Sequence, residues 1–167
     1  SNTDTNGDIG GDTDAGGDTE PMVVEGPFVA IGAGSRHSCA LNADGYLTCW
    51  GQNICTGSFS NCPPSGVHVA LTVADQHACA LDTEGAITCW GESDDQRTRP
   101  PSGTGFVALD AGYVASCALD SAGALACWGD DYAYVVEEGQ AQDPLETLSI
   151  GMYHGCGLDE TGAIRCW

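Results

Sequence analysis

The chain has 167 residues and a formal net charge of −20 at pH 7, with no lysine and only Arg36, Arg97, Arg99 and Arg165 as fixed cations. Nucleic acid and anionic membrane surfaces both require a cationic face, so the charge argues against nucleic acid and disfavours anionic membranes as partners. No apolar run approaches the length of a membrane span, and a cationic partner, calcium or plain solubility fits the charge better.

Cysteine usage sets the compartment. There are ten cysteines, and eight of them fall into one spacing: Cys39, Cys79, Cys117 and Cys156 each precede a second cysteine by ten residues. An even number at a recurrent spacing reads as a disulfide framework made in an oxidising environment. Zinc sites bring their ligands in close pairs, and no Cys-x2-Cys occurs; a haem-attachment motif is absent too. The protein is therefore expected to be exported, to the extracellular medium or cell surface, with the periplasm as a further location. No leader is visible, so the residues given are expected to be the mature form.

In chain order, residues 1–26 form an acidic tail rich in glycine, aspartate and threonine. Its first 20 residues carry six acidic groups and no basic one. That composition predicts a flexible spacer. The second reading is calcium, with Asp4, Asn6, Asp8, Asp12 and Asp14 as hard oxygen ligands, although the order does not match an EF-hand loop.

Residues 27–167 are four repeats, at about 27–66, 67–105, 106–144 and 145–167. Their first cysteines are separated by 40, 38 and 39 residues. A period near 40 with strand-type patterning indicates a propeller or related array. In the first repeat, strands are predicted near 28–33, 37–42 and 46–50, the last two forming a hairpin. If Cys39 faces Cys49, Leu41 faces Leu47, and a three-residue loop Ala43-Asp44-Gly45 remains, its glycine placed where the backbone must turn left-handed. Gly85, Gly123 and Gly162 fall at the same loop position. Register and turn chemistry thus agree four times, which predicts the disulfides Cys39–Cys49, Cys79–Cys89, Cys117–Cys127 and Cys156–Cys166. Each should contribute roughly 2–3 kcal/mol by constraining the unfolded chain. Alternation places His37, Cys39 and Leu41 on one face of the sheet, and Ser38, Ala40, Thr48 and Trp50 on the other. A sheet with two apolar faces must be covered on both.

The connections after each Trp-Gly, residues 52–66, 92–105 and 130–145, are rich in proline and acid. Cys55 and Cys62 lie in the first and are expected to pair with each other. The candidate binding residues in the other two are Glu92, Asp94, Asp95, Asp130, Asp131, Tyr132 and Tyr134. His37, His77 and His154 share one repeat position. Equal residues in successive repeats do not converge on one ion, so a hydrogen bond to a neighbouring backbone group is their expected role, and His68 is a strand-start or loop residue. The four tryptophans are expected to pack between blades. No nucleophile–base arrangement, phosphate loop or metalloprotease motif occurs, so no enzymatic activity and no cofactor are expected.

Gly34 to Gly51, with its Gly-x-x-His-Ser-x-Ala-Leu run, Asp44-Gly45 and terminal Trp50-Gly51, resembles the regulator of chromosome condensation (RCC1) repeat. Gly151 to Trp167 matches with Gly157 in place of alanine; the second copy has Ala74 for the first glycine, and the third has Ala115 for histidine. The cysteine-bearing version resembles exported bacterial members. The resemblance implies a seven-bladed propeller of four-stranded blades. Its members include a nuclear exchange factor and a bacterial β-lactamase inhibitor, so it does not choose a function. The acidity and the cysteines argue against a nuclear exchange role. The expected fold is all-β: four blades of about 39 residues as an open or partial propeller, with apolar faces at its ends. Those ends imply an extracellular structural or adhesive protein that binds copies of itself, as a ring or filament. The alternative is a monomeric binding module or inhibitor that grips another extracellular protein with the loops after Trp-Gly.

Overall fold

The structure is a computed structural model that describes residues 25–51, 63–93, 96–130, 135–139 and 144–167. The alternating apolar pattern of each repeat folds into one antiparallel sheet. Blade 1 contains β1 (Phe28–Ala33), β2 (His37–Asn42) and β3 (Leu47–Gly51); blade 2 contains β4 (His68–Val73), β5 (His77–Asp82) and β6 (Ile87–Gly91). Blade 3 contains β7 (Phe106–Ala111), β8 (Ala115–Asp120) and β9 (Leu125–Gly129). A short helix, α1 (Val135–Gly139), precedes blade 4, which contains β10 (Thr147–Ile150), β11 (Gly155–Leu158) and β12 (Ile164–Cys166). Among the described residues each sheet has three strands in sequential order, one fewer than the four implied by the family resemblance.

The hairpin register is the one the cysteine spacing predicts. Cys39 faces Cys49 and Leu41 faces Leu47, and the equivalent pairs recur in the other blades. All four predicted ten-residue disulfides are present. The turn glycines Gly45, Gly85, Gly123 and Gly162 have φ of +86°, +78°, +80° and +78°, in the left-handed region that glycine enters without steric cost. Each turn is also capped by the last residue of the preceding strand or its equivalent. Asp82 Oδ1 accepts the N–H groups of Glu84 and Ala86, both at 2.9 Å. Asn42, Asp120 and Asp159 do the same in their own blades. Each side chain thus satisfies two turn donors that the ladder leaves free.

The core lies between blades. In each interface a trailing face, carrying the disulfide, meets the leading face of the next blade, carrying small residues and tryptophan. Cys79, Leu81, Ile87 and Cys89 pack on Ala118, Trp128 and Leu109. Cys39, Leu47 and Cys49 pack on Ala78, Ala80, Leu71 and Trp90. Cys117, Leu125 and Cys127 pack on Leu148, Ile150 and Trp167, with Val135 closing the cluster. Trp90 and Trp128 are core residues and the partly buried Trp167 packs on the third cluster, as the sequence predicts, while Trp50 is half-buried on the outer face of blade 1. Trp128 Nε1 donates to the Arg97 carbonyl at 2.9 Å and Trp167 Nε1 to the Val135 carbonyl at 3.2 Å. Each thereby ties down the connection that follows the previous blade.

Candidate interaction surfaces

The blade interfaces show what a docked blade looks like. Backbone contacts repeat at each one. The N–H of His68 donates to the Gly45 carbonyl (2.8 Å), that of Phe106 to Gly85 (3.2 Å) and that of Leu145 to Gly123 (2.9 Å). A Cβ on these glycines would stand 2.5 Å from Val67 Cγ1, 2.5 Å from the Phe106 carbonyl oxygen and 2.7 Å from the Leu145 carbonyl oxygen. The turn of one blade is thus filled by the first strand of the next.

The two outermost faces lack these contacts among the described residues. On the leading face of blade 1, Ile31 is 74% exposed, whereas its equivalents Leu71, Leu109 and Leu148 are partly buried. Trp50 is half-buried, whereas Trp90 is 1% exposed. On the trailing face of blade 4, Leu158 and Ile164 are 38% and 72% exposed, whereas Leu81 and Ile87 in blade 2 are 0% and 9%. Cys166 is exposed where Cys89 and Cys127 are buried, and nothing lies within 4 Å of a Cβ placed on Gly162. These are the same two kinds of surface that bury each other three times inside the chain.

The histidines do not converge. His77 is fully buried and its Nε2 lies 2.7 Å from Ser116 Oγ of the next blade. Burial holds its pKa down at about 4, with Arg97 and His37 adding to the effect. His37 is lowered too, chiefly by burial, and hydrogen bonds to the backbone of His77. His154 is exposed, and His68 is a buried strand-start residue. The expected backbone bond is made by His37; His77 departs from it, its Nε2 meeting the Ser116 side chain instead.

Of the candidate loop residues, Glu92 is half-buried and paired with Arg97 at 3.8 Å, which turns its charge inward. Asp130 is half-buried, its N–H bonded to the Val114 carbonyl. Asp94, Asp95, Asp131, Tyr132 and Tyr134 lie outside the described residues, as do the tail candidates Asp4, Asn6, Asp8, Asp12 and Asp14 and the pair Cys55 and Cys62. Among the described residues no group of three or more His, Cys, Asp or Glu is placed to hold a metal ion, and no helix is long and apolar enough to cross a membrane.

Two features escape sequence reasoning. Arg97 is buried, with its guanidinium 5.8 Å from the Tyr113 ring centroid, and Tyr113 in turn meets Tyr153 edge-on at 6.4 Å. This run links blades 2, 3 and 4 on the side where the inner strands end. There Ala33, Val73, Ala111 and Ile150 line one open concavity of about 400 Å³, which marks the hub the four blades share.

Four disulfide-stapled blades around a common hub, with two faces uncovered among the described residues, define an open propeller array. Residues 28–58 match the family described as "Regulator of chromosome condensation (RCC1) repeat", and the other three blades repeat the strand order and the ten-residue disulfide of that first blade. In solved structures it is similar to the entire ectodomain of the Physcomitrella patens receptor kinase CR4, at TM-score 0.70 and 25% identity over 84% of this chain and 41% of that one. The CRINKLY WD40 ectodomain of the Arabidopsis thaliana receptor kinase ACR4 matches at TM-score 0.68 and 24% identity, over 87% of this chain and 51% of that one. Prp20p of Saccharomyces cerevisiae matches at TM-score 0.67 and 16% identity, over 88% and 46% respectively. The chain thus spans about half the length of these proteins. A comparison with curated proteins returned no match.

Proposed function

We propose that these repeats are a non-enzymatic extracellular structural or adhesive module that joins end to end with copies of itself. The observation that carries this reading is the exposure of Ile31, Leu158 and Ile164 at positions buried or half-buried elsewhere in the array. The occupant that matches both faces is another blade of the same kind, and a second copy brings both complementary surfaces. The disulfides and the likeness to two receptor ectodomains support an extracellular setting.

Burying such side chains offers about 1.5–3 kcal/mol each. Association costs on the order of 4–15 kcal/mol in lost freedom, so a single joint is reversible and depends on concentration. The joint is heterologous, head to tail, and either closes into a ring or extends as a filament. Sedimentation equilibrium and light scattering on the 167-residue chain test this. Species larger than 17.1 kDa that Ile31→Asp and Ile164→Asp each abolish are expected. A wild-type monomer at every concentration, or assembly that ignores both substitutions, overturns the reading. A monomer that instead binds another protein through the loops after Trp-Gly would favour a binding module or inhibitor.

A further inference from the structure

We infer that the joint between copies is locked in register by a hydrogen bond between His154 of one copy and Ser38 of the next. The inference rests on the end-to-end reading above and names its polar contact. It follows from how two positions pair across each interface. The first is the histidine position on the trailing face: His37, His77, Ala115 and His154. The second is the neighbouring position on the next blade's leading face. Here the strand pairing makes Ser38, Ala78, Ser116 and Gly155 equivalent, since each faces the tryptophan or its counterpart at the blade's outer end.

Inside the chain these positions correspond across three interfaces. By repeat position the residues corresponding across the interface between blades 1 and 2 are His37 and Ala78, and across that between blades 3 and 4 they are Ala115 and Gly155. Neither pairing offers a side-chain acceptor and donor together. Between blades 2 and 3 His77 meets Ser116 at 2.7 Å, with both residues fully buried. The remaining histidine, His154, has no following blade among the described residues, and the remaining serine, Ser38, has no preceding one. His154 is exposed and Ser38 half-exposed. A copy docked with the geometry of the interface between blades 2 and 3 brings these two together and repeats the bond between His77 and Ser116.

The bond has a second consequence. A buried polar pair penalises any other packing of the two faces by leaving its members unpaired. The apolar contacts then hold the copies together, while the histidine and serine fix how they meet.

The test is a double-mutant cycle on the association constant of the full chain, measured by sedimentation, with His154→Ala, Ser38→Ala and both together. Each single substitution is expected to weaken association about fivefold, the loss of one neutral hydrogen bond, and the double variant is expected to be no weaker than either single one. Both residues lie at the surface of the isolated chain, so an unchanged thermal midpoint in the monomeric range checks that the fold is intact. Wild-type assembly with additive or absent effects overturns the His154–Ser38 bond and leaves the end-to-end reading standing. A wild-type chain that never assembles overturns both.

Discussion

The backbone N–H of Ile150 donates to the Asp110 carboxylate at 2.7 Å, across the interface between blades 3 and 4. The other carboxylate oxygen of Asp110 accepts the Thr72 hydroxyl at 3.1 Å, across the interface between blades 2 and 3. One side chain therefore ties three blades together near the hub. Asp110→Ala leaves a buried donor unpaired on each side, and a loss of about 1–3 kcal/mol is expected in urea denaturation. Asp110→Asn retains an acceptor oxygen and should cost less. Equal losses in the two variants would mean that charge, rather than hydrogen-bond geometry, carries the contact.

Stability should fall on acidification in two steps with separate causes. His77 is held neutral at about 4 against an ordinary 6.5. Its contribution is complete above 6.5, falls as the pH drops towards 4 because the unfolded chain takes up the proton first, and is constant below that. The full effect is about 3 kcal/mol. Asp159 is held at about 2 against an ordinary 3.8, first by the Thr161 hydroxyl and then by the Ala163 N–H, so its contribution is lost between those values. Thermal midpoints of His77→Gln between pH 7 and pH 4 should vary less than those of the wild type, with the lower step retained.

Gly85 and Gly162 share a φ of +78° but differ in surroundings. A Cβ at Gly85 meets the Phe106 carbonyl oxygen at 2.5 Å, while one at Gly162 meets nothing within 4 Å. Gly85→Ala should therefore lose clearly more stability than Gly162→Ala, whose cost is the backbone term of about 1 kcal/mol. On the end-to-end reading Gly162→Ala should also block assembly, because its Cβ occupies the space the next blade enters. Similar melting points for the two variants would contradict the contrast.

The disulfides differ in access. Cys39, Cys79 and Cys117 are fully buried, whereas Cys166 is exposed and Cys156 half-exposed. With limiting reductant and a thiol-alkylating label, peptide mapping of the monomer should find Cys156 and Cys166 modified before the other three stapled pairs. Under assembling conditions that priority should disappear, because the joint covers the terminal bridge.

The blade was legible in the sequence because its contacts are local. A ten-residue cysteine spacing with glycine at a fixed offset permits one hairpin register, and four copies of the signal agree. The turn-capping role of Asp82, Asp120 and Asp159 was available from the same spacing, since an aspartate or asparagine three residues before a turn glycine is a known local pattern. Asp110 was not legible. Its counterparts are Gly32, Thr72 and Ser149, and its partners lie 38 and 40 residues away in neighbouring blades. Arg97 was hidden for a similar reason, since Tyr113, whose ring its guanidinium meets, belongs to the next blade. Apolar end faces were expected from the repeat count, but which residues form them required the packing of the interior blades.

Each of the four described disulfides closes within one hairpin, at a sequence separation of ten residues, and none of them crosses from one blade to the next. Under a pulling force the array is therefore a chain of stapled links joined by non-covalent seams. The seams give way while each hairpin stays shut, so a blade with a period near 39 residues releases only about 30 residues of slack, roughly 100 Å at full extension. Chemical reduction lengthens each such step by about 35 Å. An array built this way yields in short, recoverable increments, and the hairpins retained at each step give the blades a template on which to re-form.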